Sequence, residues 1–229
     1  MTTDKWVDTT IRVLICDDYA VTRRRVVVAL EQRPDIEVVG EAAEPTSAES
    51  IGRETNPDLV LVGSELGQAG AAQTAARIRQ GVPSARALVL GIPEDSLDGV
   101  EAVKAGAVGF IDRNTLVENV ADAVRTVYGG SPILPAPIAT AVIEAFDRLA
   151  APEGAPAGGL RRPKLTDRER KVLELLAAEH SLDEAASLLD LLPGTAANLA
   201  ANALLKLMRL HDAEVALEAA SARAVPGRH

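Results

Sequence analysis

The sequence predicts an α/β protein: a doubly wound, five-stranded parallel sheet, then a smaller all-α unit. Three observations predict it. Five short apolar, β-branched runs alternate with longer segments of helical spacing. A stretch of Ala, Pro and Gly at 151–159 then interrupts the pattern, as a linker does. From Leu165 onward the spacing is helical only.

The elements follow in order. Residues 11–16, Ile-Arg-Val-Leu-Ile-Cys, are brief and β-branched, so strand. Residues 19–32 have helical spacing and stop before Pro34. Residues 36–40 are the second strand and 45–55 the second helix. Residues 59–62 are the third strand, with a helix over 69–80. Residues 87–90 and 108–111 are the last two strands, each followed by a helix, over 96–105 and 116–128. In such sheets function gathers at the carboxyl ends of the strands. Residues 136–149 read as one more helix. Thr166 with Glu169, and Ser181 with Glu184, have the spacing of capping boxes. Leu192-Pro193-Gly194 breaks the chain before a helix over 195–207, and Asp212 is placed to cap a fourth over 212–222.

A length of 229 residues suggests two small domains. The division expected is 10–130 for the sheet domain, 131–163 for a helix and linker, and 164–222 for the helical domain. A composition 47% hydrophobic and 25% charged is that of an ordinary soluble globular protein. The net charge of −9 argues against non-specific nucleic-acid affinity, which needs Lys and Arg against phosphate. It leaves room for a local basic patch. The single cysteine, Cys16, forbids an intrachain disulfide and fits a reducing compartment. Set in an apolar run, it reads as a small buried hydrophobe rather than a redox sensor. The first residues lack the apolar core of a signal peptide, and no stretch is long enough to span a bilayer, so a cytoplasmic protein is expected. No nucleophile–base set or metal-ligand cluster points to an enzyme or a cofactor.

The two halves resemble response regulators of the NarL/FixJ (LuxR-type) class. In the first half the resemblance rests on the run from Ile11 to Asp18, on Asp35 to Ala42, on Pro57 to Val62 and on Ala105 to Phe110. In the second half it rests on Leu165 to Leu176, and on Gly194-Thr195. It implies a receiver domain joined to a helix-turn-helix domain. Receivers of that class hold Mg²⁺ with an acidic pair after the first strand and carry a phosphoacceptor Asp after the third. A hard cation wants carboxylate oxygens and offsets charge as phosphate arrives.

Against that pattern the sequence departs. Asp17 and Asp18 match the acidic pair. Gly63 falls on the acceptor position, where no aspartyl-phosphate can form without a side chain. Gly91 falls where the class has a Ser or Thr, and Arg113 where it has a Lys; Phe110 fits an aromatic switch position. With two carboxylates and no third, Asp17 and Asp18 are expected to bind a cation weakly. Arg113, whose planar guanidinium can fork onto a carboxylate, is expected to pair with one of them. A second reading gives the space between the two glycines to a small-molecule ligand.

The second half departs in the same direction. Groove reading needs polar or charged side chains. From Val172 through Leu205 there is no Lys or Arg. The inward stripe of the reading helix is Ala196, Ala200, Ala203, Leu204 and Leu207. Its outward positions are Ala197, Asn198, Ala201, Asn202 and Leu205. Asn198 and Asn202, one turn apart, suit adenine, and Thr195 and Lys206 suit phosphates, with Arg161, Arg162 and Lys164 nearby. Two functions stay open. One is a phosphorylation-independent transcription regulator acting on DNA as a homo- or heterodimer, alone or with a partner regulator. The other is an interaction module that sequesters such a partner and reads no DNA, since interface cores are poor in charge.

Overall fold

The structure is a computed structural model and describes residues 10–66, 70–91, 96–112, 116–150 and 164–224. Arg113, Arg161 and Arg162 lie outside the described residues. The strands are β1 (Ile11–Cys16), β2 (Ile36–Ala42), β3 (Leu59–Gly63), β4 (Arg86–Leu90) and β5 (Ala107–Ile111). All described pairings are parallel, in the order β2-β1-β3-β4-β5. Helices intervene: α1 (Ala20–Glu31), α2 (Pro45–Thr55), α3 (Gly70–Gly81), α4 (Ser96–Ala105) and α5 (Leu116–Tyr128). The alternation read from the sequence is therefore the architecture, with boundaries shifted by a residue or two.

Successive strand side chains point to opposite faces. Although the runs are mostly apolar, they split cleanly by parity. Val13, Ile15, Leu59, Leu61, Leu88 and Leu90 pack with Val26, Leu30, Val120 and Val124 of α1 and α5. Leu14, Cys16, Val60, Val62 and Val89 pack with Ala48, Ala75, Ile78, Val100 and Val103 of α2, α3 and α4. The strand order reverses at β1 and β3, which opens a crevice at their carboxyl ends.

Past the sheet, Ile133 bridges Gly109 of β5, and its carbonyl accepts from the Phe110 N–H at 3.0 Å. Then comes α6 (Ala136–Ala150), followed by α7 (Asp167–Ala177), α8 (Leu182–Leu188) and α9 (Pro193–Ala224). Both predicted capping boxes form, at Thr166 with Glu169 and at Ser181 with Glu184. The axes of α8 and α9 turn through 109°, the angle of a helix-turn-helix. Among the described residues no single helix is long and apolar enough to cross a membrane.

One expectation is corrected. The helix over 195–207 does not stop, and Asp212 caps nothing. A single helix of 32 residues runs through both predicted segments. Its Pro193 takes the first helical position, where a missing N–H does no harm. The two halves, whose relation the sequence left open, pack together. One apolar cluster runs from Val100 and Val103 of α4, through Ile138, Val142 and Phe146 of α6, into Val172, Leu173 and Leu204 of α7 and α9. Gly99 permits this closeness: a Cβ there would lie 2.2 Å from Ile138 Cδ1.

Candidate functional site

The crevice brings together most of the residues singled out above. Asp17 and Asp18 follow β1, Gly63 ends β3 and Gly91 follows β4. Asp17 is fully buried, whereas Asp18 is exposed. The Tyr19 N–H donates to Asp17 Oδ1 at 2.9 Å, and the Asp17 N–H donates to the Ala42 carbonyl at 3.1 Å. Arg23 Nη1 donates to the Asp17 carbonyl at 2.7 Å. These contacts hold the Asp17 side chain across the crevice, against Gly63. A Cβ on residue 63 would lie 2.5 Å from Asp17 Oδ2 and 2.9 Å from its Cγ. The space beside Gly63 is thus occupied by Asp17.

Gly91 is equally committed. Its φ is +112°, a backbone that L side chains rarely adopt, and its N–H donates to the Ile111 carbonyl at 2.7 Å. Phe110 is buried in the core on the α4 side, ring inward. The Arg113 expectation falls outside the described residues. Among the described residues no group of three or more His, Cys, Asp or Glu could hold a metal ion. A groove of about 980 Å³ opens beside Asp18 between α2 and α3. Both of its arginines are paired: Glu49 takes Arg53 at 2.5 Å and Arg77 at 2.8 Å. Cys16 is buried, and burial, then the Asp17 charge, pushes its thiol up to about 12. That thiol stays protonated and unreactive, as a packing residue should.

The second set of residues lies on α9. Asn198 and Asn202 are exposed on one stripe with Leu205 and Arg209, and Thr195 is half-buried. Ala197, expected to face outward, is buried. Ala201 is half-buried and lines a recess whose other wall belongs to the first domain. Lys206, expected at a phosphate, is turned inward. Its Nζ donates to Glu169 Oε2 at 2.6 Å and to the Lys164 carbonyl at 3.1 Å. Glu169 is nearly buried and also accepts from the Thr166 N–H at 2.7 Å. Sequence reasoning saw the capping box. It missed that the same carboxylate would recruit a lysine 37 residues on.

Burial pushes the Glu169 carboxyl up, but the Lys206 and Thr166 hydrogen bonds outweigh it and leave the group below its ordinary value. A depressed carboxyl contributes stability above its unfolded value and loses it as pH falls through the folded one. The thermal midpoint is therefore expected to fall below about pH 4.3, the ordinary range of glutamate. The Glu169→Gln variant should show a shallower acid slope in a pH series of melts. Lys206→Met, which keeps the apolar stem, is expected to cost about 2 kcal/mol by stranding a buried acceptor. An Lys206→Met midpoint equal to wild type would place the ammonium elsewhere in solution.

A doubly wound sheet with an acidic crevice, followed by two helices that cross as in a helix-turn-helix, defines the class by fold: a receiver-like domain ahead of a small helical unit. Residues 13–125 match the response regulator receiver domain family. The chain is 26% identical over 201 residues to the transcriptional regulatory protein LnrK of Bacillus subtilis (strain 168), covering 86% of this chain and 90% of LnrK. A two-component response regulator of the LuxR family from Aurantimonas sp. SI85-9A1 superposes with a TM-score of 0.53 at 28% identity, covering 61% of this chain and 99% of that one. The Salmonella typhimurium RcsB response regulator, in a study of its conformational dynamism for DNA interaction, superposes over both halves. Its TM-score is 0.52 at 19% identity, over 87% of this chain and 92% of that one, a likeness of fold. LnrK and LiaR of Bacillus subtilis (strain 168), the second 27% identical over 167 residues, are both transcriptional regulatory proteins by name.

Proposed function

We propose that this chain is a transcription regulator whose receiver works without phosphorylation and whose helix-turn-helix acts on DNA as a homo- or heterodimer. In this reading residues 10–130 are a receiver lacking its acceptor, 131–163 connect, and 164–222 read DNA. One observation carries it: residue 63 is a glycine and the Asp17 carboxylate stands 2.5 Å from where its Cβ would be. A receiver so filled has neither an acceptor nor room for one. Asp17 and Asp18 then form at most a weak cation site, because a hard cation seeks more oxygens than two carboxylates give. On α9 the exposed Asn198 and Asn202 are the base-reading candidates and Thr195 the phosphate contact. Lys206 joins them only by leaving Glu169.

A second reading is favoured by one feature, the small and neutral reading face. It makes the protein a module that binds a partner regulator and no DNA. The two separate in one titration of the full chain into its own promoter DNA at two salt concentrations, with and without candidate partner regulators. Salt-dependent binding, alone or with a partner, supports the first reading. No binding in any mixture sinks it.

A further inference from the structure

Among the described residues seven large hydrophobic side chains are exposed, and five of them fall into two patches. The first patch is on α1. Val21, Arg24, Arg25 and Val28 recur at helical spacing and share one outer face. Val21 is 73% exposed and Val28 41%, and Tyr19, just before the helix, is exposed as well. Arg23 turns back to Glu41 and the Asp17 carbonyl, whereas Arg24 and Arg25 face water. The second patch is the turn between α8 and α9. Leu188 ends α8 at 61% exposed, and Leu192 precedes Pro193 at 76%. Leu189 and Leu191 pack inward against the core, and Asp190, at φ +54°, turns the chain between them.

A lone valine or leucine at a surface is ordinary, but a cluster rimmed by charges of one sign marks a contact. The two rims have opposite signs. Helix α1 carries three arginines and one glutamate. Residues 179–192 hold Glu179, Asp183, Glu184 and Asp190, all exposed, and no Lys or Arg. Within one chain the two patches cannot meet. Helices α1 and α5 cover one face of the sheet. The helical unit is joined through α6 and α4 to the other face, so the sheet stands between the patches. An acidic turn that seats on a basic α1 must therefore seat on another copy.

We propose that the Leu188–Leu192 turn of one copy docks on the Val21–Val28 face of α1 in a second copy, leucines against valines and Asp183 and Asp190 toward Arg24 and Arg25. Charge complementarity selects this pairing. Two α1 faces would set arginines against arginines, and two turns would set carboxylates against carboxylates. The contact joins two different patches, so a copy engaged through its turn still offers its own α1. Such contacts continue past two copies unless the geometry closes a ring or a reciprocal pair. The proposal gives the homodimer reading above a surface, and it rests on no part of the DNA assignment.

Sedimentation of the full chain without DNA tests it. The unaltered protein is expected to gain mass as its concentration rises to about 100 μM. The gain should be smaller at about 0.5 M salt than at about 0.05 M, because exposed charges are screened. Val21→Glu and Leu192→Glu should each weaken association about tenfold or more, since each puts a carboxylate into an apolar contact. Mixed in equal amounts, these two variants should pair again and stop at two copies. One then supplies the intact turn and the other the intact α1. Val28→Glu with Leu188→Glu should reproduce the pattern. A monomer at every concentration overturns the docking, as does a mixture no heavier than its components in both variant pairs. Association that only one patch's variants weaken means that like patches meet, and it overturns the docking too. With no DNA present, the result stands or falls apart from the promoter titration.

Discussion

Gly63→Asp is expected to lower the thermal midpoint by about 6–12 °C and to yield no stable phosphoryl adduct. The new Cβ would lie 2.5 Å from Asp17 Oδ2, and Asp17 cannot simply turn aside. Its carboxylate holds the Tyr19 N–H, and its backbone is pinned by Ala42 and Arg23. Overpacking of this kind costs about 1–3 kcal/mol. A second carboxylate beside a buried one adds like-charge repulsion with little water to screen it. Together these come to about 3 kcal/mol, and each kcal/mol moves the midpoint of a chain this size by about 2–4 °C. Gly63→Ala, with the clash and no charge, should fall between the variant and wild type. Adding Gly91→Thr does not help, because a β-branched residue at φ +112° is strained. The measurement is a melt of each variant, then intact mass after incubation with acetyl phosphate and Mg²⁺. A mass gain of one phosphoryl group on Gly63→Asp, or an unchanged melt, would show that the crevice still accommodates an acceptor.

This result also marks what the sequence could and could not say. The absence of the carboxylate is legible in the letter at position 63. The occupation of its place by Asp17 is not, because it depends on how a buried aspartate at the end of the adjacent strand turns its side chain. The same division runs through the helical domain. Local signals were sound: Thr166 and Ser181 cap as their spacing implied, since a capping box is satisfied within four residues. Asp212 was misread by the same logic, because its partner Arg79 is 133 residues away and no local rule weighs it. Ala197 looked outward on a helical wheel drawn for an isolated helix-turn-helix, and it is buried. Lys206 looked like a phosphate contact for want of any sign that Glu169 would be buried beneath it. The sheet was legible in full, because alternating strand and helix runs have few ways to pack.

The second large effect is expected at the junction. Phe146 of α6 is buried in the cluster that runs from α4 into α7 and α9. Beside it, Asp147 pairs with Arg170 of α7. Interfaces between independent domains are usually more polar than this, and their halves unfold separately. A shared apolar core couples them, so wild type should melt in a single calorimetric transition. Phe146→Ala removes a ring from the middle of that core and is expected to cost about 3–5 kcal/mol. The loss is not symmetrical. The sheet domain keeps the α1–α5 face of its core, built without α6. The helical domain is small, and a domain of about 60 residues is marginal alone. The single transition should therefore split, with the helical unit melting first. Asp147→Ala is the control. It breaks an ion pair that is largely exposed on both sides and should cost no more than about 1 kcal/mol, leaving one transition. If Phe146→Ala still melts as one transition within about 1 °C of wild type, the two halves are held by something other than this core. If wild type already shows two transitions, they were never coupled.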